Sequence, residues 1–455
     1  MRNLLNKILN FLHLLQSVCA NIYYAFPQRK LKLIGVTGTD GKTTTTQMIY
    51  HILKENGFKV GYISTISAKI GEREIDTGFH VTTPDPWSVP KYLKMMSDQG
   101  IEYVVLESTS HGLVQNRLWG IEFNSATITN IKSDHLDYHK TWENYAKAKA
   151  LLIDKVKDGG AVVLNEDDKE SAKFLKEYLK DVEEEEIKQI WYSKSQLEEV
   201  KSSFEGFEFE FEGQRFFLPI IGRYNLENAL AAINICKKYL PLTLISKALA
   251  NFPSPIGRME VIQTKPFVVI IDFAHTPHAL EAALNSLRDI QKTGRIISVF
   301  GCAGKRDRKR REMGRYAITL GEMLILTAED PRDEKLKDVN DEIIKYAESA
   351  NGVLLQRFAS SKELSGLNFD EVDGKIENLF KALKKPIFAF DEDSIQSRID
   401  AIKFALSIAK DGDIVFITGK AHEKSLAFGK TEYPWYDRDA VLEALKKLQL
   451  NNNET

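Results

Sequence analysis

Short apolar runs alternate with stretches of helical spacing along most of this chain. From Leu31 onward the runs read LKLIGV, KVGYISTI, YVVLES, SATITNI and GGAVVLN, and after Pro255 they resume as FVVIIDF, RIISVFG, MLILTAE, PIFAFD and DIVFITG. Near-continuous apolar runs bounded by turns, with helices between them, predict mainly parallel sheets covered by helices on both faces, an α/β architecture. Between Phe207 and Ile221 the period drops to two, FEFEFE then Gly213 and FFLPII, which predicts an antiparallel hairpin added to the first sheet; a helix over 225–240 follows. Residues 250–258 collect Pro253, Pro255 and Gly257, so a domain boundary is expected near Gly257. The expected organisation is an N-terminal segment 1–30, a central domain 31–256 and a C-terminal domain 257–455.

In the first segment Leu4, Leu5, Ile8, Phe11, Leu12, Leu15, Val18, Cys19 and Ile22 recur at helical spacing, with Asn3, Asn6, Asn10, Ser17 and Asn21 mostly between them. This predicts an amphipathic helix, too often interrupted by polar residues to span a membrane. Docking on the next domain is expected, with membrane-surface contact or a partner interface as the alternatives.

Composition narrows the classes. A length of 455 residues suits several domains with substantial cores, and an apolar content of 43% with 28% charged residues is that of a globular protein. A net charge of −2 offers no general attraction to nucleic acid, so any anionic ligand must be held locally. Three widely spaced cysteines, Cys19, Cys236 and Cys302, indicate neither a disulfide framework nor a cysteine metal site, and a cytoplasmic location is expected.

The first such local site is VTGTDGKTTTT, residues 36–46, after the run LKLIG and ahead of a helical pattern that opens at Gln47. A strand entering a Gly-rich turn and then a helix aims backbone N–H groups and a helix N-terminus at one point, which suits a polyphosphate. Val36 stands where the general phosphate loop has its first Gly, leaving the shorter Gly38-Thr39-Asp40-Gly41-Lys42-Thr43. Lys42 and Thr43 at the helix start supply a cation for the β/γ-phosphates and a hydroxyl for Mg²⁺. The expectation is a central P-loop ATPase-like domain and a C-terminal Rossmann-like α/β domain. A second basic run, 305–311, follows the strand RIISVFG, where parallel sheets bind ligands, and is expected to be an anion site.

Glu107 closes YVVLE, Asp134 and His135 follow another strand, and Lys149 lies in NYAKAKALL; if strands 101–107 and 125–131 flank the phosphate-loop strand, these groups converge on one edge. With these residues in view, the chain resembles the Mur ligases, most closely the type that adds the third amino acid to a UDP-N-acetylmuramoyl dipeptide. The resemblance rests on VTGTDGKTTTT, HVTTPDP (80–86), ESTSHGLVQNR (107–117), TNIKSDHLDYH (129–139), YAKAKALL (145–152), GRYNLENALAA (222–232), GRMEVI (257–262), DFAHTPHAL (272–280), EDPR (329–332) and GKAHE (419–423).

The resemblance implies ATP bound by Gly38, Thr39, Asp40, Gly41, Lys42, Thr43 and Thr44, with Asn225 and Asn228 near the adenine and Arg258, Asp272 and His275 reaching the nucleotide from the C-terminal domain. It implies two Mg²⁺ ions, held by Thr43, Glu107, His135 and Lys149, the last as N6-carboxylysine, and so a catalytic set of Lys42, Glu107, His135 and Lys149. An unmodified ammonium about 4 Å from a cation is repelled by about 4 kcal/mol per unit-charge pair at an effective dielectric of ~20, and a carbamate reverses the sign. Thr82, Thr83, Thr109 and Arg117 match muramyl-peptide contacts, and Arg311, Asp330, Arg332, Gly419 and Glu423 match amino-acid contacts.

The reaction implied is ATP-dependent, ADP-forming amide synthesis through an acyl phosphate, with the C-terminal domain, hinged near Gly257, closing to exclude water. Arg332 favours meso-diaminopimelate as the incoming amino acid, while Asp330 in place of the usual Asn would suit the ammonium of L-lysine. Ala421 stands where Gly is usual, and the 305–311 run is one residue short and lacks its Pro. Relatives of this type carry a separate N-terminal domain that grips the UDP group; only residues 1–30 precede Leu31, so the helix is expected to take its place, with the UDP end held weakly, by another protein or not at all. The partners expected are UDP-muramyl dipeptide and a diamino acid, acting on a monomer. A folylpolyglutamate synthase-type ligase, or a non-catalytic ligase-like binding subunit, is the alternative.

Overall fold

The computed structural model describes residues 2–64, 67–76, 85–132, 136–183, 186–254 and 256–453. The chain forms two compact units, one of residues 1–201, 206–219 and 223–253, the other of residues 202–205, 220–222 and 254–455.

The first unit is built on an eight-stranded sheet of β1 (Lys32–Thr37), β2 (Val60–Ile63), β3 (Ser67–Ile70), β4 (Arg73–Asp76), β5 (Tyr103–Glu107), β6 (Phe123–Ile128), β7 (Val156–Asn165) and β8 (Ile187–Tyr192), in the order β4-β3-β2-β5-β1-β6-β7-β8. Only the β2–β3 and β3–β4 pairings are antiparallel. Leu33, Val104, Leu106, Ala126, Ile128 and Val162 are fully or almost fully buried in one core cluster against this sheet. β1 lies between β5 and β6, the adjacency that the convergence of Glu107 and the 129–139 segment requires. Because the chain leaves β1 for neighbours on both sides, the carboxyl end of β1 is a topological switch point and opens a crevice.

Two elements depart from what periodicity alone predicts. The helix after the phosphate loop, α2 (Lys42–Glu55), has Lys42 and Thr43 at its start as the motif implied, five residues ahead of Gln47, where the helical periodicity opens. Thr43 to Thr46 are buried in it although they carry no apolar signal, so hydrophobic periodicity could not place its start. The hairpin is real but is not added to the parallel sheet. β9 (Leu197–Ser203), β10 (Gly206–Phe211) and β11 (Gln214–Leu218) form their own three-stranded sheet, β11-β10-β9. Glu212 and Gly213 turn it at φ 49° and 74°, and Phe207, Phe209 and Phe211 bury one face. A period-two pattern shows that a strand has one buried face but not which strand pairs with its edge. The helix expected over 225–240 spans Tyr224–Cys236.

The N-terminal helix α1 (Arg2–Tyr23) docks on the first unit by its polar edge. Ser17 Oγ donates to Asn116 O (2.8 Å), Asn21 Nδ2 to Trp119 O (3.3 Å) and, just beyond the helix, Gln28 Nε2 to Gly120 O (3.0 Å). Among the described residues no helix is long and apolar enough to cross a membrane.

The second unit holds a seven-stranded sheet of β12 (Glu260–Gln263), β13 (Val268–Asp272), β14 (Ile296–Phe300), β15 (Met323–Leu326), β16 (Gly352–Phe358), β17 (Lys385–Phe390) and β18 (Ile414–Thr418), in the order β12-β13-β18-β14-β15-β17-β16. Only β12 runs antiparallel to its neighbour. A small hairpin, β19 (Ser425–Phe428) and β20 (Thr431–Pro434), follows. Asp272, Gly301, Glu329 and Gly419 therefore all lie at or just past the carboxyl ends of parallel strands.

Candidate active site

In the first unit, β1 delivers the chain into a turn that only glycine can make at two points. Gly38 has φ +156°, and a Cβ there would lie 1.8 Å from Thr129 Oγ1; Gly41 has φ +79°, and a Cβ would lie 2.1 Å from Asn228 Oδ1. The loop is held from β6: Asn130 Oδ1 accepts from Asp40 N (2.9 Å), while Thr129 Oγ1 donates to Asp40 O (2.6 Å). Sequence reasoning missed Thr129 and Asn130 as loop braces, although both open the quoted TNIKSDHLDYH segment. Asn225 and Asn228 are buried and joined, Asn228 Nδ2 to Asn225 Oδ1 (2.9 Å), so Asn228 stands against Gly41.

α2 then points its first turn at the crevice. Lys42 Nζ donates to Thr39 O (2.8 Å), and Thr43 Oγ1 donates to Glu107 Oε2 (2.9 Å). Glu107 ends β5 at 1% exposure, so a hydroxyl and a carboxylate meet in the interior beside the helix start. Hard oxygen donors at that spacing fit Mg²⁺. Lys149, 2% exposed, reaches the same loop, its Nζ donating to Gly38 O (2.6 Å) and lying 4.5 Å from the Tyr145 ring centre. Lys42, Thr43, Glu107 and Lys149 are thus brought together around residues 38–43; His135, Thr82 and Thr83 lie outside the described residues.

Thr109 caps the short helix Ser110–Val114, its Oγ1 accepting from Gly112 N (3.1 Å). Arg117 follows that helix, and burial pulls its guanidinium below its ordinary range against the opposing charge of Asp85. His139 Nε2 lies 3.0 Å from Ser110 Oγ, a buried polar pair that single-residue reading did not pick out.

The second unit gathers another set. Asp272 closes β13, buried, with Oδ1 accepting from Met259 N (2.7 Å) and Oδ2 from Ala274 N (2.8 Å). Burial raises its carboxyl above the usual range, with Arg258 opposing. The Arg258 guanidinium sits 4.7 Å from the Phe273 ring centre, and His275 and His422 flank the same ring at 4.6 and 4.7 Å. Burial, then Arg258, Lys420 and His275, pull His422 down to about 3, so its imidazole is neutral at physiological pH.

EDPR and GKAHE face one another. Lys420, 2% exposed, places Nζ 2.9 and 3.0 Å from the two Asp330 oxygens and also pairs with Glu423. Asp330 also accepts from Ala427 N (2.8 Å), so its acceptor sites are taken up within the protein although Lys420 is shared with Glu423. Glu329 lies against Gly419, where a Cβ would come 2.6 Å from Oε2, and burial pushes its carboxyl up to about 8. Arg332 is half-buried at φ 57°, its backbone tied to β19 by Arg332 N to Ala427 O (3.3 Å) and Gly429 N to Arg332 O (2.7 Å). Arg311 is 2% exposed, 3.3 Å from Ala303 O, 3.4 Å from Glu334 and 3.6 Å from Glu342. In the rest of the basic run, Lys305 pairs with Asp333 and Arg308 with Glu342.

Behind these loops lies a pair the sequence did not expose. Arg398 and Asp437 are wholly buried and bidentate, Nε to Oδ1 at 2.7 Å and Nη2 to Oδ2 at 2.8 Å. Arg398 also donates to Ala328 O and Thr418 O, each at 3.0 Å, and Asp437 accepts from Ala421 N (2.8 Å) and Trp435 Nε1 (2.8 Å). The residues preceding EDPR and GKAHE are therefore fastened to one ion pair.

A model of the Mur ligase middle domain matches residues 36–236, and one of the Mur ligase glutamate ligase domain matches residues 257–367. The UDP-N-acetylmuramoyl-L-alanyl-D-glutamate–2,6-diaminopimelate ligase of Clostridium tetani is 36% identical over 441 residues, covering 95% of this chain and 81% of its own length. The chain belongs to the Mur ligase family. Among solved structures, a UDP-N-acetylmuramoyl-L-alanyl-D-glutamate–2,6-diaminopimelate ligase superposes with a TM-score of 0.63 at 26% identity, covering 95% of this Mur ligase and 83% of that chain. A Mycobacterium tuberculosis folylpolyglutamate synthase reaches a TM-score of 0.64 at 16% identity, over 89% and 92% of the two chains, which shows the shared fold alone.

Proposed function

We propose that this Mur ligase joins an amino group of meso-diaminopimelate to the terminal D-glutamate carboxylate of UDP-N-acetylmuramoyl-L-alanyl-D-glutamate, converting ATP to ADP and phosphate, in peptidoglycan synthesis. The observation that carries the reading is the buried Thr43–Glu107 pair at the end of the 38–43 loop, in a chain 36% identical to a protein named for that reaction.

A carboxylate does not condense with an amine in water at useful rates, so it must first acquire a leaving group. The acceptor carboxylate takes the γ-phosphoryl of ATP, ADP departs, and an acyl phosphate remains. Lys42 and the backbone N–H groups of 38–43 offset charge on the phosphoryl oxygens during this transfer. Thr43 and Glu107 would hold a first Mg²⁺ and His135 a second, which when bound supply further charge neutralisation at the phosphates. Lys149 as N6-carboxylysine would add a carboxylate for a second ion and keep one N–H for Gly38 O. The amine then attacks the acyl carbon, phosphate leaves, and the amide is formed. Arg258, Asp272 and His275 would serve the nucleotide from the C-terminal side, and Thr109, Arg117, Thr82 and Thr83 would serve the muramyl peptide.

The choice of amino acid turns on charge. Both Asp330 oxygens are already engaged by Lys420 and one also by Ala427 N, so its acceptor sites are spent within the protein, whereas the Arg332 guanidinium pairs with a distal carboxylate and repels an ammonium. This supports meso-diaminopimelate over L-lysine, with Arg311, Gly419 and Glu423 completing the subsite.

ADP release should require the muramyl dipeptide and diaminopimelate together, and Glu107→Gln should lower it by about 10²-fold or more, the scale of losing a group aimed at transition-state charge. Turnover that ignores the amine, or that prefers lysine, refutes the proposal.

A further inference from the structure

α1 presents its two edges the opposite way from an ordinary surface helix. Its polar edge, Ser17 and Asn21 with Ala20, is buried against the first unit, whereas Leu9, Phe11, Leu12, Leu15, Cys19, Ile22 and Tyr23 are exposed. Phe11 is 58% exposed, Ile22 61% and Tyr23 73%, and the Tyr23 ring carries the patch on to Trp87, itself 41% exposed, at 6.1 Å. A contiguous outward apolar stripe on a folded protein marks a surface that something covers.

Three observations select what covers it. Among the exposed residues, Leu12, Leu15, Cys19 and Ile22 recur at steps of three and four, the spacing that makes the seam of a helix packing on another helix. The helix has no acidic residue in its first turn and no basic residue in its last, so neither end of its dipole is offset by its own side chains. Two such helices laid antiparallel bring the positive end of each dipole beside the negative end of the other, whereas a parallel pair stacks like ends. A lipid surface fits less well: helices lying on anionic lipid line their polar edge with Lys and Arg, and here the polar edge from Leu9 to Tyr23 has neither and is spent on the protein itself. With roughly 100 Å² open on each of the six large apolar side chains, two copies offer on the order of 1,200 Å², the lower range for a stable pair.

We propose that α1 is a self-complementary interface through which two copies of this chain pair, antiparallel, about a two-fold axis. This departs from the monomer expected from the sequence, and it is independent of the ligase reading. Sedimentation equilibrium of the full chain, up to about 100 µM, should give twice the 51.7 kDa chain mass. Leu12→Glu with Leu15→Glu, at exposed positions, should halve that mass while leaving ATP turnover and the far-ultraviolet circular dichroism unchanged. Should glutamate disturb the helix, Leu12→Gln with Leu15→Gln, which keeps helix propensity, should also halve the mass. A single-copy mass at every concentration overturns the proposal, as does a double mass that ignores the substitutions. Single copies that sediment with phosphatidylglycerol vesicles through the same residues overturn it in favour of a lipid surface.

Discussion

Replacing Arg398 by Met tests whether the buried ion pair holds the two loops of the second unit. Met roughly preserves volume but removes the charge, leaving the Asp437 carboxylate, at 0% exposure, with Ala421 N and Trp435 Nε1 as its remaining donors. Burial works to lower the Arg398 guanidinium, yet Asp437 carries it above its ordinary range, so the charged pair is the native form. Removing one member of such a pair costs about 3–5 kcal/mol, because the other is left buried and uncompensated. Ala328 O and Thr418 O also lose their donor, at about 1 kcal/mol each. Taking about 6 kcal/mol in all for a unit of this size, calorimetry should show its transition lowered by roughly 15–20 °C. Because those carbonyls immediately precede EDPR and GKAHE, the surviving folded enzyme should show a KM for the diamino acid raised about tenfold, with the KM for ATP little changed. Arg398→Met with Asp437→Leu removes both charges and should recover much of the stability but not the KM. A single variant that loses less than about 1 kcal/mol, or a double variant whose losses simply add, refutes the reasoning.

Two further outcomes follow from local chemistry. Glu329, raised to about 8 by burial, keeps its proton in the folded state after the unfolded chain has lost it, so stability should fall as pH rises from about 4.5 to 8, by up to ~1.4 kcal/mol per pH unit; Glu329→Gln should abolish that slope in urea titrations at several pH values, and an unchanged slope counts against it. His422 has the opposite sign, its contribution being complete above about 6.5 and lost as pH falls toward 3. Gly41→Ala places a methyl 2.1 Å from Asn228 Oδ1 at φ +79° and should cost about 1–2 kcal/mol from backbone strain alone, with nucleotide affinity, measured by calorimetric titration, falling at least tenfold; full retention of affinity refutes the turn's role.

What the sequence determined by itself is whatever is written within a few residues. The phosphate turn was legible because strand, glycine, lysine and helix start are neighbours, and the parallel strands were legible because burial on both faces leaves an unbroken apolar run such as Val268–Asp272. Motifs spread along the chain, from ESTSHGL to GKAHE, carried the family. Tertiary structure alone decided which partner each polar group found and which way each stripe faced. Periodicity announces that α1 has one apolar side but is blind to its direction; β10 and β11 announce a hairpin but not the β9 edge they join. Lys420 meets Asp330 across 90 residues, and Arg398 meets Asp437 across 39. Spacing along a chain constrains contacts within one element, while contacts between elements depend on the order in which strands assemble, which no local pattern encodes.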